Sequence, residues 1–145
     1  MSLYASFKTD TKAETEGIVL PYNFKPEYRN DDGTWPTFTL KRAGGRNAKE
    51  YDLARERARR PFKDKIARNS MEEDDNLEIL VNAFLDAVLI TWDNIQDANG
   101  QNIEYSVEAA KKFFFDLPEF FYELNQRVLG RDLFLAASET DAKNS

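Results

Sequence analysis

The sequence predicts an α+β fold that is mostly α-helical: a small N-terminal β hairpin followed by about four helices packed around a central apolar helix at 77–92. Three observations carry this expectation. Residues 16–24 (EGIVLPYNF) and 34–42 (TWPTFTLKR) are rich in β-branched and aromatic side chains and flank Asn30-Asp31-Asp32-Gly33, whose Asp-Gly step is a turn signal. Beyond Gly44-Gly45 the apolar residues recur at helical spacing. Within that part, Leu77, Leu80, Val81, Phe84, Val88 and Trp92 follow one another by steps of one, three or four. At 145 residues one domain is expected, over 1–137, with a β region at about 16–42, a basic helix at about 47–67, a helical core at about 70–135 and a flexible polar tail at 138–145.

Each element has its own justification. Pro21 and Pro36 cannot donate ladder hydrogen bonds, so the two strands are short or lie at an edge. Residues 47–67 form a highly charged helix with a thin stripe of Tyr51, Ala54 and Ala58, and Pro61 interrupts it because proline lacks the amide donor. Ser70-Met71-Glu72-Glu73 has the form of a capping box, and the acids at 72–75 complement a helix N-terminus. Ile79, Ala83, Leu85, Ala87, Leu89 and Ile90 fill much of the remaining circumference of the 77–92 helix, as in a helix covered on two sides. Asn99-Gly100 favours a turn, and a brief strand is expected at 103–105. Ser106 caps a helix at 107–115, and Asp116-Leu117-Pro118-Glu119 restarts one with an acid cap and proline in the first turn. Gly130 stops it, with residues 133–137 as a short extension.

Composition removes whole classes of chemistry. The chain has no cysteine and no histidine, which excludes disulfides, thiolate and Ser-His-Asp catalysis and nearly every zinc, haem or iron–sulfur site. The N-terminus lacks the basic and long apolar runs of a signal peptide, and the longest apolar stretch, 83–92, is far short of the roughly 20 residues of a membrane span. Charge is unevenly placed. Residues 41–68 carry eleven basic side chains against four acidic ones, a net of +7, which leaves −13 to the rest of a chain whose total is −6. Such a basic arm either packs against its own acidic neighbours or meets an acidic partner. Nucleic acid is the least favoured occupant, because an acidic chain repels phosphate at long range.

Motifs for metal or catalysis do not hold up. Residues 93–104 place Asp93, Asp97 and Glu104 at the first, fifth and twelfth positions of a calcium loop, but Ile95 offers no oxygen and Ala98 stands where the turn needs glycine. Four consecutive acids at 72–75 point in different directions around a helix and cannot converge on one ion. No phosphate-cradling glycine loop is present, and nothing singles out a carboxylate pair among twenty-six acids. The expectation is a protein that is not an enzyme and has no cofactor.

The aromatic triplets are the more informative feature. Phe113, Phe114 and Phe115 are consecutive on a helix and their directions span about 200°. Phe120, Phe121 and Tyr122 repeat the arrangement one segment later. Either this part of the chain is packed on two sides inside the core, or part of it is an apolar patch for another protein. The candidate partner-binding residues are Phe113, Phe114, Leu117, Phe120, Phe121 and Leu124, and the candidate structural core is Leu80, Phe84, Val88 and Trp92.

Over 18–134 the pattern resembles the tail assembly chaperones of long-tailed bacteriophages. The residues that carry the resemblance are Thr91-Trp92-Asp93, the turn Asp97-Ala98-Asn99-Gly100, Ile103-Glu104-Tyr105-Ser106 leading into Glu108-Ala109-Ala110, and the run Asp116-Leu117-Pro118-Glu119-Phe120-Phe121-Tyr122-Glu123-Leu124. Trp35-Pro36-Thr37-Phe38 and Arg60-Pro61-Phe62 extend it toward the N-terminus. The resemblance implies a protein of the host cytoplasm, absent from the mature virion, that binds and solubilises the tape measure protein and promotes tail tube polymerisation around it. It also implies contact with the tail tube protein through a longer, frameshifted form. A structural tail-completion or connector protein and a nucleic-acid-binding regulator are the competing readings, and self-association is left open.

Overall fold

The computed structural model describes residues 2–136, so the expected tail at 138–145 lies outside the described residues. The fold is α+β and mostly helical, with one three-stranded antiparallel sheet. The chain opens with two short helices, α1 (Leu3–Phe7) and α2 (Thr11–Glu16), capped by the side chains of Ser2 and Asp10. Neither is long enough to be stable by itself, and both draw on caps and tertiary contacts. Glu14 of α2 is fully buried, where its carboxylate accepts from the Arg42 guanidinium at 3.1 Å and the Arg46 amide at 2.9 Å. That pairing fastens the N-terminal segment to the Gly44-Gly45 corner.

β1 (Ile18–Pro21) pairs antiparallel with β2 (Thr37–Leu40), matching Ile18 to Leu40 and Pro21 to Thr37. β1 lies at the edge, as its proline requires. The connection between them turns at Asn30–Gly33, with Gly33 at φ +91°. It is held to the body by Tyr22, whose hydroxyl donates to the Glu123 carboxylate and accepts from Arg127, while the Arg127 guanidinium stacks 3.7 Å from the Phe24 ring centre.

The basic segment forms α3 (Ala48–Arg59), a 3-10 turn at Arg60–Phe62 containing Pro61, and α4 (Lys63–Ala67). The proline interruption falls where the sequence places it. α5 (Glu73–Ala87) then runs back along α3, with Arg57 paired to Asp86 at 2.9 Å near one end and Lys65 to Asp75 at 3.0 Å near the other. Its N-cap is Glu72, with Asp75 completing the capping box, rather than Ser70. Ser70 instead bonds to the Lys65 carbonyl and so belongs to the end of α4.

The central helix does not extend to Trp92. It ends at Ala87, and Leu89–Asp93 is a third strand, β3, on the far side of β2. The register explains the expectation of a longer helix. Thr39 pairs with Thr91 and Leu40 with Leu89, so Ile90 is an extra residue in a bulge. The bulge lets Leu89 and Trp92, three apart, both face the core, which reproduces the spacing of a helix in a stretch of strand. Asn47, buried, donates its side-chain amide to the carbonyls of Arg42 and Ala87, closing the end of α5.

After β3 the chain makes the Asn99-Gly100 turn, with Gly100 at φ +76°. Residues 103–105 form no strand; the nearest ladder contact is a single bridge between Gln96 and Asn102. Two helices complete the domain, α6 (Val107–Asp116), capped by Ser106, and α7 (Pro118–Leu129), ending at Gly130. The residue between them, Leu117, closes one helix and opens the next without a side-chain cap. Asp116, expected as that cap, is the last residue of α6 and pairs with Lys112 at 2.9 Å. A 3-10 turn at Asp132–Phe134 seats Phe134 in the core. α5, α6 and α7 lie against one face of the sheet, and Phe38, Leu40, Phe84, Phe114, Phe121 and Leu124 form the fully buried centre.

Candidate partner-binding groove

The two aromatic triplets sort in the same way. Their first members face the sheet: the Phe113 ring meets Trp92 at 5.4 Å, and Phe120 meets Tyr22 at 5.1 Å and Phe38 at 5.8 Å. Their second members enter the core beneath α5, where Phe84 contacts Phe114 at 5.7 Å and Phe121 at 5.3 Å, mostly edge to face. Their third members turn outward, Phe115 at 37% and Tyr122 at 39% exposure. Side chains 100° apart on a helix that packs on two sides leave only the third direction for solvent.

This corrects the partner-binding candidates. Phe114, Phe121 and Leu124 have 0% exposure, and a side chain without surface cannot touch a partner while the fold is intact. Phe113 and Phe120 are half-buried and already occupied by aromatic neighbours. Of the six, only Leu117 is exposed, at 44%, on the corner between α6 and α7. The core candidates Phe84, Val88 and Trp92 are buried, and Leu80 is half-buried against them.

The outward members line a groove that the candidate set missed. It lies between the start of α5 and the α6–α7 corner, has a volume of about 590 Å³, and is built from Phe115, Pro118 and Tyr122 with Leu77 at its base. Glu73, Asp74, Asp75 and Glu78 form its acidic rim. Every wall is a helix or a helix end, so the surface is preformed. The capping-box hydrogen bond from the Glu72 amide to Asp75, joined by Lys65, holds the Asp75 carboxyl below the usual carboxylate range. Asp75 is therefore a carboxylate at neutral pH. The sequence carried a signal for it: the third residue of each triplet, and the acids immediately before Leu77, are the positions a two-sided packing would leave outside.

The opposite sign is gathered on the other flank of α5. Arg59, Arg60 and Lys63, with Glu56 among them, surround the exposed Ile66, and Lys49, Arg55 and Arg59, interspersed with Asp52 and Glu56, surround the exposed Leu53. Among the described residues no group of three or more Asp or Glu side chains is placed to hold a metal ion, and no helix is long and apolar enough to cross a membrane.

A family model described as YdaY prophage protein matches residues 46–139. No curated protein and no solved structure matches the chain. The matched segment contains both flanks of α5 and every residue of the acid-rimmed groove. With well over half of its length matched, the chain belongs to the YdaY prophage protein family and is a phage-related protein.

Proposed function

We propose that the protein is a non-enzymatic chaperone of phage tail assembly, acting in the host cytoplasm, that holds an amphipathic helical segment of the tape measure protein in the groove between α5 and the α6–α7 corner. The observation that carries this reading is the outward placement of Phe115 and Tyr122 over an acidic rim on a preformed helical surface. An apolar groove between helices suits a helix presenting anchors at i, i+3, i+4 and i+7, and an acidic rim selects one with basic flanks. A tape measure protein is long and helical, so many weak sites along one ligand would supply avidity while leaving each copy displaceable.

Membership in a prophage family and the resemblance to tail assembly chaperones support the assignment to phage assembly. The test is affinity capture of the tagged protein from cells expressing the surrounding tail genes. Capture of one long helical protein, lost with Phe115→Asp or Tyr122→Asp while the circular dichroism and melting temperature hold, is the expected result. Recovery of the protein in purified phage particles instead would assign it to the virion as a connector and overturn the chaperone reading.

A further inference from the structure

The two flanks of α5 are complementary in charge, and each carries exposed apolar side chains. The basic flank presents Ile66 at 46% exposure among Arg59, Arg60 and Lys63, which outnumber the one acid there, Glu56. The acidic flank presents Tyr122 at 39% beside Glu73 and Glu78. They are separated by the seam where Lys65 of α4 meets Asp75 of α5 at 3.0 Å.

We infer that the groove is also a self-recognition site: the basic α3–α4 ridge of a second copy occupies it, in a closed dimer whose two-fold axis passes near the Lys65–Asp75 seam. Opposite charges lying side by side are self-complementary under a two-fold, because each ridge then meets the partner's groove. The ridge has the chemistry ascribed above to the client, a helical surface with apolar side chains flanked by cations. The dimer therefore shields the exposed aromatic residues while no client is present, and the client must displace it. The inference rests on the groove being a helix-binding surface, as in the proposed function, but not on the identity of the client.

Sedimentation equilibrium of the full chain tests it directly. At low salt the mass rises toward twice the monomer with concentration, and the association weakens as salt is added, since the paired charges lie at the surface. Two variants of exposed residues, Arg60→Glu with Lys63→Glu and Glu73→Lys with Glu78→Lys, each weaken self-association by about tenfold or more. Mixed together, they restore the dimer, which no loss of folding could mimic. A protein that stays monomeric at low salt, a dimer indifferent to both reversals, or a mixture that fails to associate would each overturn the inference. The ridge variant retains capture of the tape measure protein if the groove is its site, so a dimer without capture would count against the chaperone reading alone.

Discussion

The Trp92 indole nitrogen donates to the Ile103 carbonyl oxygen at 2.8 Å, folding the loop after β3 back onto the strand it has just left. The ring also meets Tyr105 and Phe113 edge to face at 5.3 and 5.4 Å, so one side chain joins β3, the loop and α6. Trp92→Phe removes the donor and leaves a carbonyl short of its partner. It is expected to lower stability by about 1–3 kcal/mol, read from urea unfolding followed by circular dichroism.

Glu14 links stability to pH. Burial pushes its carboxyl up, but hydrogen bonds from Thr9, the Arg46 amide and Arg42, with the charge of Arg42, outweigh it and hold the group below its ordinary value of 4.5. A depressed folded-state value means that the stabilisation is fully present above the ordinary value and is lost as pH falls through the lowered one. Glu14→Gln leaves Arg42 without its counter-charge and should cost about 1–3 kcal/mol near neutrality. The gap between variant and wild-type melting temperatures should narrow as the pH is taken below 4.5, where the wild type protonates the same group.

Gly44 lies where the chain after β2 passes the end of α7. A Cβ there would sit 2.6 Å from the Leu129 carbonyl oxygen, a backbone atom that cannot swing aside. Gly44→Ala is expected to cost about 1–3 kcal/mol, measured by thermal unfolding, as overpacking against rigid structure generally does.

Neighbours on α6 should behave oppositely. Phe114→Ala opens a cavity among Phe84, Trp92 and Phe121 and is expected to cost about 3–5 kcal/mol. Phe115→Ala, on the solvent side, should change stability by less than about 1 kcal/mol while weakening partner capture. A chemical-denaturation series on the two variants decides whether the triplet sorts as described.

Much of this was legible in the residues, and the exceptions have physical causes. Pro61, Ser106 and Gly130 act where local chemistry puts them, because a missing amide, a hydroxyl acceptor and a helix end are properties of the chain alone. The Leu89–Asp93 strand was hidden because a bulge at Ile90 gave it helical spacing. The helices α1 and α2 are too short to carry a periodic signal and depend on contacts such as Glu14–Arg42. The triplets left two readings open, burial on two sides or an outward patch, and which side chains face outward depends on where α5 and the sheet lie. For the same reason the acids at 72–75 could be read as a helix start but not as a rim, since the rim exists only once the α6–α7 corner packs beside them.

β2 lies between β1 and β3, and the match to the YdaY family model begins at residue 46, after β2 has ended. The shared segment thus contains one strand and none of the backbone that hydrogen-bonds to it. Cut out as a fragment, it would bare the peptide groups of Leu89–Asp93 and uncover the Phe120 ring that Phe38 and Tyr22 now cover. The segment that the family model recognises is thus smaller than the unit that packs together in this chain.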